Sequence, residues 1–361
     1  MFDFNTGARR SVTDDARATR LTAAQDLVQR TLAQHGLASF ASPSSPPDAQ
    51  GLISLLQGVL PTGDGTTTPR STPKPADIPD GAQFLFGTHQ GKSGSRAYRT
   101  YVPASAETGA SGIVMMLHGC TQTPEDFAIG TGMNALAERD GFIVIYPEQS
   151  QGASAQTCWN WFSPNDQRRD RGEPEILAGI ARMAMAQYDV PSERTFVAGL
   201  SAGAAMAVIL GHTYPDVFAA AGAHSGLPYG VAKDVASAFA AMAGQRPDET
   251  AEPGRPGIRT IVFHGFADST VHVSNGETIA RNAERHAPSP SVQTTRKGTA
   301  GGRSYTATIC TGPDGRDHLE HWVIDQLGHA WSGGQPGGSY TDPRGPDASA
   351  EMLRFFFESK E

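Results

Sequence analysis

The chain is short of cysteine, of long apolar runs and of positive charge. Among its 361 residues the three cysteines, Cys120, Cys158 and Cys310, stand too far apart for a disulfide framework. They favour free thiols and a cytoplasmic protein, with a single pair left open. No apolar run approaches the roughly 20 residues needed to span a bilayer. Met1 to Thr19 is polar and mixed in charge, without the apolar stretch of a secretory signal. The net charge of −8 speaks against gripping a nucleic-acid backbone, which calls for basic patches. What the chain has in quantity is turn chemistry, 41 glycines and 25 prolines, on a length that buries a full core.

Residues 14 to 37 carry a helical stripe of Leu21, Ala24, Leu27, Val28 and Leu32, stopped by His35 and Gly36. A Ser/Pro-rich stretch, a short apolar segment (51 to 60) and a Pro/Thr/Gly-rich linker follow, so a boundary is expected near residue 80. The division is therefore 1–80, a helical and low-complexity extension, and 81–361, a catalytic domain. From Ala82 the pattern changes. Strands are expected at Gln83 to Phe86, Arg96 to Val102, Ile113 to Leu117, Phe142 to Tyr146, Phe196 to Leu200, Phe218 to Ala223, Ile258 to His264 and Leu319 to Ile324. Helices are expected over Asp126 to Asp140, Glu173 to Tyr188, Ala202 to Leu210 and Glu351 to Lys360. Buried strands alternating with helices imply a mostly parallel sheet covered on both faces, with no internal repeat.

One stretch organises this domain. Phe196 to Leu200 runs into Ser201, flanked by Gly199 and Gly203, and a small-residue helical segment follows. This is a G-x-S-x-G elbow in a strand–turn–helix setting, where bulkier residues at the two glycines would collide. A serine hydroxyl becomes a nucleophile when a base takes its proton and a third group fixes the base's tautomer. In an α/β-hydrolase the order along the chain is serine, acid, histidine, each after a strand. Asp268 follows the strand ending at His264, and His329 lies five residues beyond the strand ending at Ile324. Ser201 is thus the expected nucleophile, His329 the base and Asp268 its orienter, with Asp325 and Asp216 as alternative acids. His264 is expected to be structural, and His212 falls on the elbow helix. His318 and His321 hint at a metal pair, but odd spacing in a strand puts them on opposite faces. Backbone N–H groups of Cys120 and Ala202 are the expected oxyanion donors. Trp159, Trp161 and Trp331 sit in loops, where they either wall an apolar cleft or simply pack.

With those residues in view, a resemblance emerges. Leu117-His118-Gly119-Cys120-Thr121-Gln122, Cys158-Trp159-Asn160-Trp161-Phe162, Gly199-Leu200-Ser201-Ala202-Gly203, Ser225-Gly226-Leu227-Pro228, the Asp268 loop and His329-Ala330-Trp331-Ser332-Gly333-Gly334 resemble the polyhydroxybutyrate (PHB) depolymerase esterase family. The match covers roughly residues 82 to 358, in the family's order. It implies an α/β-hydrolase that cleaves (R)-3-hydroxybutyrate esters through an acyl-serine, without metal or cofactor, and it carries Ser201, Asp268 and His329 into the same roles. The N-terminal helix looks like the leader of signal-less, intracellular members. Ser332 stands where proline is common in the family. Amorphous granules or soluble oligomers are the implied substrates, and the apolar segment 51–60 either docks on a granule or packs on the catalytic domain. Feruloyl and acetylxylan esterases share much of the pattern, as would a general short-chain carboxylesterase. An oligopeptidase lacks its repeat domain here, and a non-catalytic granule-surface binding protein would have no reason to keep all three residues in register.

Overall fold

In the computed structural model, residues 78–154, 156–245 and 257–357 are described. The expected N-terminal helix, the segment 51–60 and most of the linker before residue 80 lie outside them.

A ten-stranded sheet forms the frame, in the order β1-β2-β4-β3-β5-β6-β7-β10-β9-β8. Its centre is parallel: β4 (Ile143–Pro147), β3 (Ile113–Leu117), β5 (Thr195–Leu200), β6 (Ala220–His224), β7 (Arg259–Gly265) and β10 (Asp317–Ile324). Antiparallel hairpins flank it, β1 (Gln83–Gly91) with β2 (Gly94–Val102) on one side and β8 (Val292–Ala300) with β9 (Arg303–Thr311) on the other. This is an α/β-hydrolase architecture, as the sequence implies.

The uninterrupted apolar run of β3 has its reason in the layers. Ile113, Met115 and Leu117 join one core, with Ile176, Leu177 and Ile180 of α3 (Gly172–Tyr188) and Met206 and Ile209 of α4 (Ala202–Thr213). Val114 and Met116, pointing the other way, join a second core. Phe127 of α1 (Pro124–Thr131), Met133 of α2 (Met133–Asp140) and Met352, Phe355 and Phe356 of α7 (Ala348–Phe357) belong to it. Every residue of β3, β4 and β5 is buried, so period-two alternation is absent where both faces are covered. Each large apolar side chain so buried contributes roughly 1.5–3 kcal/mol.

Several elements depart from expectation. The helix expected over 126 to 140 is two helices, broken at Gly132, which takes a left-handed φ of 63°. Two further helices, α5 (Val235–Met242) and α6 (Ser274–Glu284), and the β8–β9 hairpin were not foreseen. β11 (Trp331–Ser332) and β12 (Thr341–Asp342) form a short parallel pair. Among the described residues no helix is long and apolar enough to cross a membrane.

Candidate active site

β5 delivers Ser201 to the carboxyl end of the sheet. The chain turns there at φ 56° and ψ −118°, and α4 starts at the next residue. The glycines are steric necessities. A Cβ on Gly199 would sit 2.5 Å from the Gly203 carbonyl carbon and 2.7 Å from Leu117 O, and one on Gly203 would overlap Leu117 O. A non-glycine residue at this positive φ stores strain of order 1–3 kcal/mol, which the surrounding contacts must offset. Two of them are hydrogen bonds: Ser201 N–H donates to His224 O at 2.9 Å, and Ala205 N–H donates to Ser201 O at 2.9 Å.

Asp268 lies in the turn after β7 and is buried. Its Oδ1 accepts the N–H groups of Thr270 (2.9 Å) and Val271 (2.8 Å), and its Oδ2 accepts His329 Nδ1–H at 2.8 Å. Burial pushes this carboxyl up, but the His329 hydrogen bond, the imidazole's charge and the Val271 amide together hold it below the usual carboxylate range. His264 is also buried, with Nε2–H on Val271 O at 2.8 Å and 3.6 Å from Asp268 Oδ2. It supports the turn that presents the acid.

His329 sits in the loop after β10. That loop is tied to the Asp268 loop by Phe266 N–H to Ile324 O (2.9 Å) and Ala267 N–H to Leu327 O (3.0 Å). With Nδ1–H given to Asp268, the lone pair of His329 is left on Nε2, as a general base requires. Among the described residues no hydrogen bond joins Ser201 to His329; such bonds are often long until substrate is bound.

The turn after β3 supplies the opposite wall. Gly119 N–H donates to Gln122 Oε1 (2.9 Å), Thr121 N–H to Gln156 O (2.7 Å) and Gln122 N–H to Gly119 O (3.3 Å). Of this turn's amides, that leaves the Cys120 N–H without an acceptor among the described residues. Ala202 opens α4, so its N–H has no intrahelical acceptor. A Cβ placed on Gly119 would lie 3.7 Å from Ser201 Cβ, so this turn stands beside the serine. His118 braces it. Gln149 N–H donates to His118 Nε2 (3.1 Å), leaving Nδ1–H to donate to Gly119 O at 2.8 Å, the carbonyl of the peptide whose N–H belongs to Cys120. Burial holds His118 down to about 4, against the smaller opposing pull of Gly119 O, so the ring is neutral.

Two expectations are corrected here. Cys120 and Cys158 are joined in a disulfide, and only Cys310 is a free, buried thiol. The loop carrying Cys158 folds back over the Cys120 turn, where buried Glu173 holds it by accepting Asn160 N–H (2.8 Å) and Asn160 Nδ2–H (2.9 Å). Disulfides persist mainly in oxidising compartments, so the cysteines no longer argue for a cytoplasmic location. The three tryptophans are packing residues and wall no open cleft. Trp159, Trp161 and Trp331 are 0%, 6% and 1% exposed. The Trp159 indole N–H donates to His118 O (3.0 Å) and that of Trp331 to Ser349 Oγ (3.0 Å), which is how a loop indole becomes core.

The alternative acids are occupied or remote. Asp216 pairs with Arg169 at 2.5 Å and Arg182 at 3.2 Å, and Asp325 is exposed at the end of β10. His212 stacks on Tyr229 at 3.8 Å. His318 meets Asp314 at 3.1 Å. Among the described residues no group of three or more His, Cys, Asp or Glu is arranged to hold a metal ion. The residues that sequence reading passed over are the buried polar supports His224, Gln149 and Glu173. Their one signal is a polar side chain at or just past the end of an apolar strand, or in the first turn of a helix.

Three buried neutral histidines give the fold a predictable acid sensitivity. Burial lowers His118 to about 4 and His224 to about 3, and it lowers His264 as well. The unfolded chain binds these protons below about pH 6.5, and the fold does not. The stability contributed by keeping these rings neutral is therefore full above pH 6.5 and is lost as pH falls toward 4. Each ring costs about 1.4 kcal/mol per pH unit inside that window. Urea midpoints measured at pH 7.5, 6 and 5 should drop more steeply per pH unit between 6 and 5 than between 7.5 and 6; equal midpoints at pH 7.5 and 5 would contradict the burial of these rings as neutral species.

A mostly parallel sheet with a serine at the strand-to-helix elbow, an acid after β7 and a histidine after β10 defines an α/β-hydrolase. Residues 96–299 match the esterase PHB depolymerase family, and the chain belongs to that family. It is 31% identical over 258 residues to poly(3-hydroxyalkanoate) depolymerase C of Paucimonas lemoignei, covering 68% of this chain and 60% of that protein. It is 32% identical over 207 residues to a probable acetylxylan esterase A of Aspergillus fumigatus, covering 53% of this chain and 54% of that protein. The chain thus spans little more than half the length of these relatives. Among solved structures, an acetyl xylan esterase from Aspergillus awamori superposes with a TM-score of 0.58 at 20% identity, over 77% of this chain and 99% of that one, which shows the shared fold.

Proposed function

We propose that the protein is a serine esterase that hydrolyses (R)-3-hydroxybutyrate ester bonds of amorphous PHB or its oligomers. The observation that carries the chemistry is the Asp268–His329 pair. Asp268 has one oxygen filled by two backbone amides and the other on His329 Nδ1, which leaves Nε2 as the only basic site of the imidazole. In this reading Ser201 Oγ attacks the ester carbonyl carbon as His329 Nε2 takes its proton. The carbonyl oxygen becomes an oxyanion, received by the N–H groups of Cys120 and Ala202. Collapse of the intermediate breaks the C–O bond, and His329 returns the proton to the leaving alkoxide, releasing the alcohol. Water, deprotonated by His329, then attacks the acyl-serine, and the proton returns to Ser201 as the acid leaves.

The substrate rests on the family and on the identity to the Paucimonas lemoignei depolymerase over 68% of the chain. A second reading, deacetylation of a sugar polymer, has its own support in the 32% identity to a probable acetylxylan esterase A. Wild type and Ser201→Ala should be compared on amorphous PHB granules, short 3-hydroxybutyrate oligomers, acetylated xylan and a feruloyl ester. Serine-dependent release from granules is the expected result, and activity on oligomers alone would make the protein a downstream hydrolase. Activity confined to acetylated xylan or the feruloyl ester overturns the 3-hydroxybutyrate assignment and leaves the serine chemistry standing.

A further inference from the structure

His224 closes β6 between the nucleophile strand and the strand that leads to the acid, pairing with Leu200 on one side and Phe263 on the other. It is fully buried, and it touches both moving parts of the proposed reaction through different atoms. Its carbonyl oxygen accepts Ser201 N–H at 2.9 Å. Its ring Nε2 accepts Ser332 N–H at 3.0 Å, in β11 and three residues beyond His329. Because a backbone amide can only donate, Nε2 must hold a lone pair, and Nδ1 carries the proton toward Ser225 Oγ at 3.3 Å. The ring is clamped flat between Trp331 (5.1 Å, 25°) and Phe263 (5.8 Å, 12°).

We infer that His224 is a positioning residue that sets the distance between Ser201 and His329, by holding the nucleophile elbow with its main chain and the base-bearing loop with its imidazole. The inference rests on the reading of Ser201 and His329 as nucleophile and base. Two physical points support it. Ser332 lies in β11, directly after the loop that must keep His329 in place while its charge changes, and among the described residues the Ser332–His224 bond is the one hydrogen bond that ties this stretch of backbone to the end of β6. Burial, reinforced by the neighbouring His264 and His329, holds the ring down to about 3, so it stays neutral and keeps its acceptor when His329 becomes an imidazolium. A ring that protonated there would lose the Ser332 bond and repel the charge formed during catalysis.

The test uses three replacements of one side chain. His224→Phe keeps an aromatic ring for Trp331 and Phe263 but removes the acceptor. His224→Asn keeps polarity but sets its oxygen near the Nδ1 position, short of Ser332. His224→Gln reaches the Nε2 position with its amide oxygen. A shift of the base by about 1 Å lowers turnover about 100-fold. His224→Phe and His224→Asn are therefore expected to lose about 30- to 100-fold in kcat with KM within about threefold of wild type, and His224→Gln to recover most of that loss. Should His224→Phe fail to fold, the Asn and Gln pair carries the comparison alone. Phe or Asn variants with kcat within threefold of wild type overturn the inference, and so does a Gln variant as impaired as Asn at equal melting temperature. Ser201→Ala run beside them separates the two levels. An active Ser201→Ala removes the underlying reading, whereas an inactive one beside a fully active His224→Phe removes only the role of His224.

Discussion

Ser201→Ala is expected to lower kcat by about five orders of magnitude, with KM changed little and the fold unchanged. The size follows from what the hydroxyl alone supplies. In the proposed mechanism there is no acyl-enzyme without Oγ, and His329 can at most assist a water that must reach the carbonyl from solvent. What would then survive is the residual help of binding and of the proposed oxyanion donors, the Cys120 and Ala202 amides, about 10³- to 10⁴-fold over water. The fold should not change, because alanine and serine carry the same Cβ and meet the same strain at φ 56°. Melting temperature is the internal control, and Ser201→Gly sharpens it. Glycine accepts that backbone conformation freely, so Ser201→Gly should be equally inactive while melting no lower than Ser201→Ala. Turnover of a soluble 3-hydroxybutyrate oligomer checks the expectation. A Ser201→Ala enzyme that keeps more than about a tenth of wild-type activity would take the nucleophile role away from Ser201.

That result is foreseeable from sequence because the elbow is written in steric terms. Gly199 and Gly203 are there because any Cβ would collide with backbone that must pass close by, and such demands leave a residue-type signature that survives without coordinates. Asp268 and His329 stand out in the sequence for a different reason. A parallel sheet delivers its functional loops at the carboxyl ends of strands, so an aspartate after β7 and a histidine after β10 could be read from strand order alone.

What escaped the sequence is what depends on packing at the sheet's margins. The β8–β9 hairpin alternates Thr, Arg, Lys and Gly on an edge where most of β8 is exposed, so it lacks the apolar run that marked β3 to β5. The tryptophans look like cleft walls because they sit in loops; only the fold shows Trp159 and Trp331 with satisfied indoles in the interior. The Cys120–Cys158 bond has the same character. A separation of 38 residues says nothing about pairing until the Trp159 loop is seen to lie over the Cys120 turn. His224 is the sharpest case, since its worth lies in partners at positions 201 and 332 that no local pattern connects.

Asp268→Asn is expected to be nearly as damaging as loss of the serine, about 10⁴-fold in kcat, and for a reason the hydrogen bonds make specific. Asp268 Oδ1 accepts two amide protons, from Thr270 and Val271, so an asparagine there must turn its carbonyl oxygen toward them. Its NH2 group then faces His329. A donor at that place obliges His329 Nδ1 to present a lone pair, which moves the imidazole proton to Nε2, the atom that accepts the Ser201 proton in the proposed mechanism. The histidine remains in position in the wrong tautomer. The substitution should therefore spare KM and the melting temperature and remove turnover, a split that distinguishes tautomer loss from local unfolding. The Asp216 and Asp325 carboxylates cannot take over, because one is held by Arg169 and Arg182 and the other lies exposed at the end of β10. Retention of more than about a tenth of wild-type kcat in Asp268→Asn would show that some other group orients His329, and would withdraw Asp268 from the site.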